Sequence, residues 1–204
     1  MCIRDSYYTS DIDTLLKKIE WVEVDFLDVY SLINCLEGVE QVYHCAAVVS
    51  FEKGKEDIMM QTNAIGTANL VNACLSKNVK KLCHVSSITT VGEADKGELS
   101  TENSLVQLTP ESSNYTFSKY DAEREVWRGI EEGLDAIIVN PSLILGGGNW
   151  QQSSANLFTK AHDGLKFYTA GGSGFIDVRD VARLMVLLMD SEHKNERVIL
   201  NTAN

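Results

Sequence analysis

"LDAIIVNPS", residues 134–142, decides how the rest of the chain is read. Its unbroken apolar centre, stopped by Pro141, is too short for a helix. It lacks the apolar–polar alternation of a half-exposed strand. Such a run is a strand buried on both faces, which is the habit of a parallel sheet covered by helices. Working backward, residues 113–132 have the length and pattern of a helix, and "KKLCHVSS" (80–87) is a second strand of the same kind. Before it, "KEDIMMQTNAIGTANLVNACLSK" (55–77) is helical and "EQVYHCAAVV" (40–49) is strand-like. "VYSLINCLEG" is a short helix ending at Gly38, and "WVEV" (21–24) is a further strand. Strands separated by helices predict an α/β fold with a parallel sheet.

Working forward, the pattern is less regular. The sequence predicts a helix near 153–163, a short strand "LKFYTA", a turn "GGSG" and the segment "FIDVRDVARLMVLLMD". Asp177 is placed to cap a helix there, with Asp180 three residues on in the favourable first turn. "ERVILNTAN" reads as one more strand.

Composition narrows the function. The chain of 204 residues carries a net charge of −11 and has no basic stripe, which argues against nucleic acid or an anionic membrane surface as the main partner. No apolar stretch approaches the roughly 20 residues of a membrane span. Five cysteines, odd in number and without CxxC spacing, sit mostly in apolar runs and point to a reducing, cytoplasmic setting.

Tyr115 and Lys119 lie four apart, on one face of the 113–132 helix. Seven tyrosines and 12 lysines among 204 residues give roughly 0.4 such pairs by chance, so the pair gains meaning only from its surroundings. "VSS" at 85–87 ends a strand, at the carboxyl edge where α/β sheets place ligands. Asn63 lies on the preceding helix, where Gly66 allows close backbone approach. Asn63, Ser87, Tyr115 and Lys119 can therefore converge at one crevice. A rival Cys/His metal site from His44–Cys45 and Cys83–His84 fails, because adjacent strand residues point to opposite faces. "GGGNW" and "GGSGF" lack the Lys and Ser/Thr of a phosphate-binding P-loop.

Seven stretches in order, "VDFLD", "VYHCAA", "NAIGTANLVNAC", "HVSSITTVG", "YTFSK", "VNPSLILG" and "GFIDVRDVA", make the sequence resemble the extended short-chain dehydrogenase/reductase family, the nicotinamide-dependent epimerase/dehydratase group. The "NPS" and "DVRDVA" versions are most similar to its dihydroflavonol-reductase-like and steroid-dehydrogenase-like branch. The resemblance implies a Rossmann-like sheet over 1–150 and a substrate-region segment over 151–204 with elements returning to the sheet. It implies NAD or NADP as cofactor and a hydroxyl- or carbonyl-bearing small molecule as substrate. Tyr115 would be the general acid/base, Lys119 would favour its phenolate and bond the nicotinamide ribose, and Ser87 would hold the substrate oxygen. Asn63 would support a proton-relay water. Asp25 would contact the adenine edge, Ala46 and Ala47 would let the cofactor lie flat, and Asn140, Pro141 and Ser142 would line the nicotinamide.

The family's GxxGxxG turn occurs nowhere in the sequence. "WVEVDFLD" corresponds to its third strand, so the resemblance implies an internal fragment without the first two strands or the C-terminal end, and inactive alone. The strand at 40–47 would then keep an open edge or pair with 21–24. Two other readings stand beside the enzyme: a non-catalytic nucleotide-binding sensor or scaffold, and an interaction module pairing as a homodimer through helices 55–77 and 113–132.

Overall fold

A computed structural model of the chain describes residues 17–50, 54–94, 98–147, 155–164 and 172–203. The elements run α1 (Val29–Cys35), β1 (Gln41–His44), α2 (Glu56–Met59), a π-helical stretch (Met60–Ile65), α3 (Gly66–Ser76), β2 (Lys81–Val85), α4 (Asn114–Glu131), β3 (Ala136–Pro141), β4 (Leu143–Leu145), α5 (Ala155–His162), β5 (Phe175–Asp177), α6 (Val178–Met189) and β6 (Glu196–Leu200). The predicted strand "LKFYTA" lies outside the described residues.

Four strands form one parallel sheet in the order β1-β2-β3-β6. β3 is buried at every residue, as its unbroken apolar run requires. Its side chains alternate between two cores. Ala136 and Ile138 join Leu82, Leu70, Val71 and Val126 under α3 and α4. Ile137 and Val139 join Cys83, Val181, Met185 and Met189 under α6. Helices therefore cover both faces of a Rossmann-like sheet. Each cap matches local chemistry: Asp28 accepts from the Tyr30 and Ser31 amides, Ser113 from Thr116, and Asp177 from Arg179. At the other end of α6, the buried Lys81 ammonium donates to the carbonyls of Leu188 and Ser191 at 2.7 and 2.8 Å. A cation there satisfies carbonyls that the helix leaves open and opposes its negative end.

Two expectations need correction. Residues 21–24 form no strand; Trp21 and Val22 are exposed, while Val24 and Phe26 pack on the core beneath. β-structure requires a ladder partner, and β1, the strand nearest in sequence, pairs only with β2 among the described residues. Among the described residues the other edge of β1 carries no strand, and 21–24 does not pair with it. The helix at 55–77 is not uniform either. Its Met60–Ile65 stretch is π-helical, a local widening frequent at functional sites, and it contains Asn63.

Candidate active site

The carboxyl ends of β2 and β3 open onto α4. β2 ends at Val85, and Ser86 and Ser87 follow it into a 3-10 turn over Ile88–Thr90. β3 delivers Asn140 and Pro141, with Ser142 next. Tyr115 and Lys119 occupy successive turns of α4, and the helix sets both toward this edge.

Lys119 is 2% exposed, and its ammonium donates to the Val85 carbonyl at 2.7 Å. Burial pulls its pKa from 10.5 down to about 8, against the opposing pull of Glu123 and Cys45. Tyr115 is half-buried. Burial pushes its phenol up, and a hydrogen bond with the Ser87 side chain works in the other direction. The sequence expectation was that Lys119 would favour the phenolate. In this structure the Lys119 ammonium meets the Val85 carbonyl, and the side-chain contact that lowers the Tyr115 phenol comes from Ser87.

Asn63 is fully committed to protein partners. Its Oδ1 accepts from the Val48 amide at 2.7 Å, and its Nδ2 donates to the Val48 carbonyl and the Ser118 hydroxyl, each at 2.9 Å. It ties the segment leaving β1 to the helix of Tyr115 and Lys119. Within that segment Ala46 and Ala47 are exposed. Asp25 lies in an exposed turn, where its Oδ1 accepts from the Leu27 amide at 2.9 Å.

Beneath Ser87 lies a network the sequence reading missed. Asn140 Nδ2 stands 3.1 Å from the Ser87 carbonyl, 2.8 Å from Thr90 Oγ1 and 3.0 Å from Glu123 Oε2. Glu123 is the next residue along the Tyr115 and Lys119 face. That i+4 spacing was the available signal, masked because an isolated helical glutamate usually faces solvent.

His44 and His84 are register partners on β1 and β2, both buried, with ring centroids 5.0 Å apart. His44 donates to or accepts from Thr67 Oγ1 at 2.8 Å, and its ring stacks on Phe26. Burial, then the Lys119 charge, lowers His44 to about 3 and holds His84 well below 6.5. Among the described residues no group of three or more His, Cys, Asp or Glu is placed to hold a metal ion.

The fold and crevice define a Rossmann-type α/β unit with a tyrosine–lysine pair at the carboxyl edge of its sheet. Residues 3–202 match the NAD dependent epimerase/dehydratase family, and the chain belongs to it. It is 31% identical to "Sterol demethylase protein B" of Methylococcus capsulatus over 178 residues, covering 86% of this chain and 54% of that protein. It is 26% identical to a putative dihydroflavonol 4-reductase of Synechocystis, covering 80% of this chain and 48% of that one. Among solved structures, gox2253 superposes with a TM-score of 0.79 at 31% identity, over 87% of this chain and 55% of that one. UDP-glucose 4-epimerase of Thermotoga maritima, solved with UDP-glucose, shares the fold at a TM-score of 0.78 and 21% identity, over 94% of this chain and 65% of its own. The chain spans about half the length of the curated relatives it matches.

Proposed function

We propose that this chain carries the proton-transfer part of an NAD- or NADP-dependent oxidoreductase or epimerase acting on a hydroxyl- or carbonyl-bearing small molecule. The hydrogen bond between Ser87 and Tyr115, beside a buried Lys119, supports this reading most directly. Two hydroxyls that meet at a strand end can share one substrate oxygen. Ser87 orients that oxygen, and Tyr115 gives or takes its proton. Burial keeps Tyr115 protonated at neutral pH, so it is poised as the acid for carbonyl reduction. In the reverse direction the phenolate needs a nearby cation, and Lys119 remains largely charged at neutral pH with its pKa at about 8.

The residues present fit the nicotinamide end of such a cofactor. Two buried polar atoms, Asn140 Oδ1 and Ser142 Oγ, have no hydrogen-bond partner among the described residues; an acceptor and a hydroxyl suit a carboxamide. In this reading Asn140, Pro141 and Ser142 line the nicotinamide, Lys119 bonds the ribose, Ala46 and Ala47 offer a flat surface, and Asp25 meets the adenine edge. When bound, the nicotinamide supplies the hydride chemistry. A reducing, cytoplasmic setting belongs to the same reading and is supported by Cys35, Cys45, Cys74 and Cys83, all free. So does a homodimer through helices 55–77 and 113–132, where Ile58 and Ile65 are exposed. No helix among the described residues is long and apolar enough to cross a membrane.

The test is Tyr115→Phe in a form of the protein that turns over. Activity should be lost with cofactor affinity largely kept; unchanged turnover overturns the assignment. The second reading, a non-catalytic nucleotide-binding sensor or scaffold, draws on the lack of a GxxGxxG turn among the 204 residues. Without backbone amides for the pyrophosphate, NADH should bind the 204-residue chain weakly. Saturable NADH binding would overturn that expectation, and a Tyr115→Phe without effect on turnover would favour the second reading.

A further inference from the structure

Glu123 is 4% exposed, and every side chain recorded within hydrogen-bonding distance of it is a donor. Oε2 accepts from Ser86 Oγ at 2.7 Å and Asn140 Nδ2 at 3.0 Å, and the Thr90 hydroxyl lies 2.7 Å away. Oε1 is 3.3 Å from both Trp127 Nε1 and an Arg197 nitrogen. An acceptor-only group surrounded by donors is an ionised carboxylate in its preferred setting. It joins four elements at one point: the end of β2, the turn after it, the end of β3, and β6.

The consequences reach the crevice by two routes. Asn140 stands between Glu123 and the Ser87 carbonyl, and Thr90 Oγ1 lies 2.8 Å from that same carbonyl. Its single proton serves Glu123 or Ser87 at any moment. Both contacts fix the backbone that carries the Ser87 hydroxyl. The second route is electrostatic, since Glu123 sits one helical turn beyond Lys119 and favours its ammonium. Outward, Arg197 continues the chain. Its guanidinium also donates to the Glu102 carbonyl at 2.5 Å and the Ser104 carbonyl at 2.9 Å. The same loop closes on the β2 exit through the Gly92 amide and the Ser104 carbonyl at 3.1 Å.

We propose that Glu123 is a positioning residue of this site, fixing Ser87 through Asn140 and Thr90 and balancing the charge of Lys119, and that Arg197 couples it to the 102–104 loop. The inference rests on the reading of Tyr115 and Lys119 as a proton-transfer pair. It adds a route by which whatever the loop contacts is felt at that pair. Glu123 touches no reacting atom in this arrangement and acts through its neighbours.

The test is a titration of the Lys119 side chain by NMR in lysine-labelled 204-residue chain, assigned by the signal lost in Lys119→Arg. The groups facing Lys119 are Glu123 on its own helix, Cys45 and His44 on the β1 side, and His84 on β2; Arg197 faces Glu123 from β6. Glu123→Gln should lower the Lys119 midpoint by roughly one pH unit, because an opposite charge is removed. Arg197→Met should move it the opposite way, because a cation is removed while Glu123 stays. A merely structural role would loosen the fold in both variants without shifts of opposite sign. Arg197→Met should also speed amide exchange at Gly92 and Ser104. An unmoved Lys119 midpoint in a folded Glu123→Gln chain overturns the inference. If that variant does not fold, Arg197→Met alone decides it: an upward shift supports, and no shift overturns. Neither readout needs cofactor or turnover, so the Tyr115→Phe result stands or falls separately.

Discussion

The Lys119 ammonium donates to the Val85 carbonyl at 2.7 Å, at the last residue of a strand buried on nearly its whole length. This places a charge in the interior with a peptide oxygen as partner. The contact is worth less than hydration, which is why the pKa falls on folding.

A prediction about alkaline stability follows from the sign of that shift. Between about 8 and 10.5 the folded lysine binds fewer protons than the unfolded one. Its contribution to stability therefore rises with pH across that window, on the order of 3 kcal/mol for a shift of this size. Lys119→Met lacks the term. Urea unfolding should show Lys119→Met more stable at neutral pH, with its advantage shrinking as pH rises through the window. Cys74 and Cys83, pushed by burial to about 12, act oppositely above their ordinary value of 9, but they are common to both chains and cancel in the difference.

The buried histidines govern the acid side. His44 and His84 both have depressed pKa values in the fold, so below their ordinary 6.5 the unfolded chain takes up protons that the folded chain refuses. Stability is lost as pH falls through that value, at up to about 1.4 kcal/mol per pH unit for each histidine. Among the described residues neither ring nitrogen of His84 has a hydrogen-bond partner. His84→Leu should therefore flatten the acid limb of the urea midpoint against pH and cost little at neutral pH. An unchanged acid limb would show that His84 is not the group responsible.

The sheet was legible because burial on both faces writes apolar runs, unbroken at 136–139 and nearly so at 82–85, and those runs survive without any partner being known. The strand expected at 21–24 was not, since one amphipathic run cannot reveal whether a ladder partner exists. That Tyr115 and Lys119 share a helix face directed to the strand end of Ser87 was legible from the spacing of four and from "VSS" closing a strand. Glu123 and Arg197 were not, because 74 residues separate them and each alone has the composition of an ordinary surface. The commitment of Asn63 to Val48 and Ser118 was equally hidden. It depends on a π-helical stretch, and no local residue type signals one.

The seam between α3 and α4 gives a packing test. A Cβ on Gly129 would stand 2.5 Å from Val71 Cγ1, and Val71 is wholly buried. Helix propensity alone favours alanine by about 1 kcal/mol. Overpacking a rigid, β-branched neighbour costs about 1–3 kcal/mol, so the clash wins. Gly129→Ala should lower the melting temperature; a rise would mean that the two helices separate freely and that the seam is not a fixed core.

Asn63 offers the sharpest division between support and chemistry. In Asn63→Ala the Val48 amide and carbonyl lose their partners at once, and the Ser118 hydroxyl loses a donor. Each buried group left unpaired costs about 1–3 kcal/mol, so a loss of roughly 3 kcal/mol in unfolding free energy is expected by chemical denaturation. Hydrogen exchange at the Val48 amide should accelerate, because Asn63 is what holds the strand exit to the helix. The exposed Ala46 and Ala47 lie on that same exit, so in a form that turns over the first casualty should be cofactor affinity. KM for the nicotinamide should rise more than kcat falls. A fall in kcat with KM unchanged would instead support the proton-relay role for Asn63, and it would require the side chain to leave Val48 during turnover.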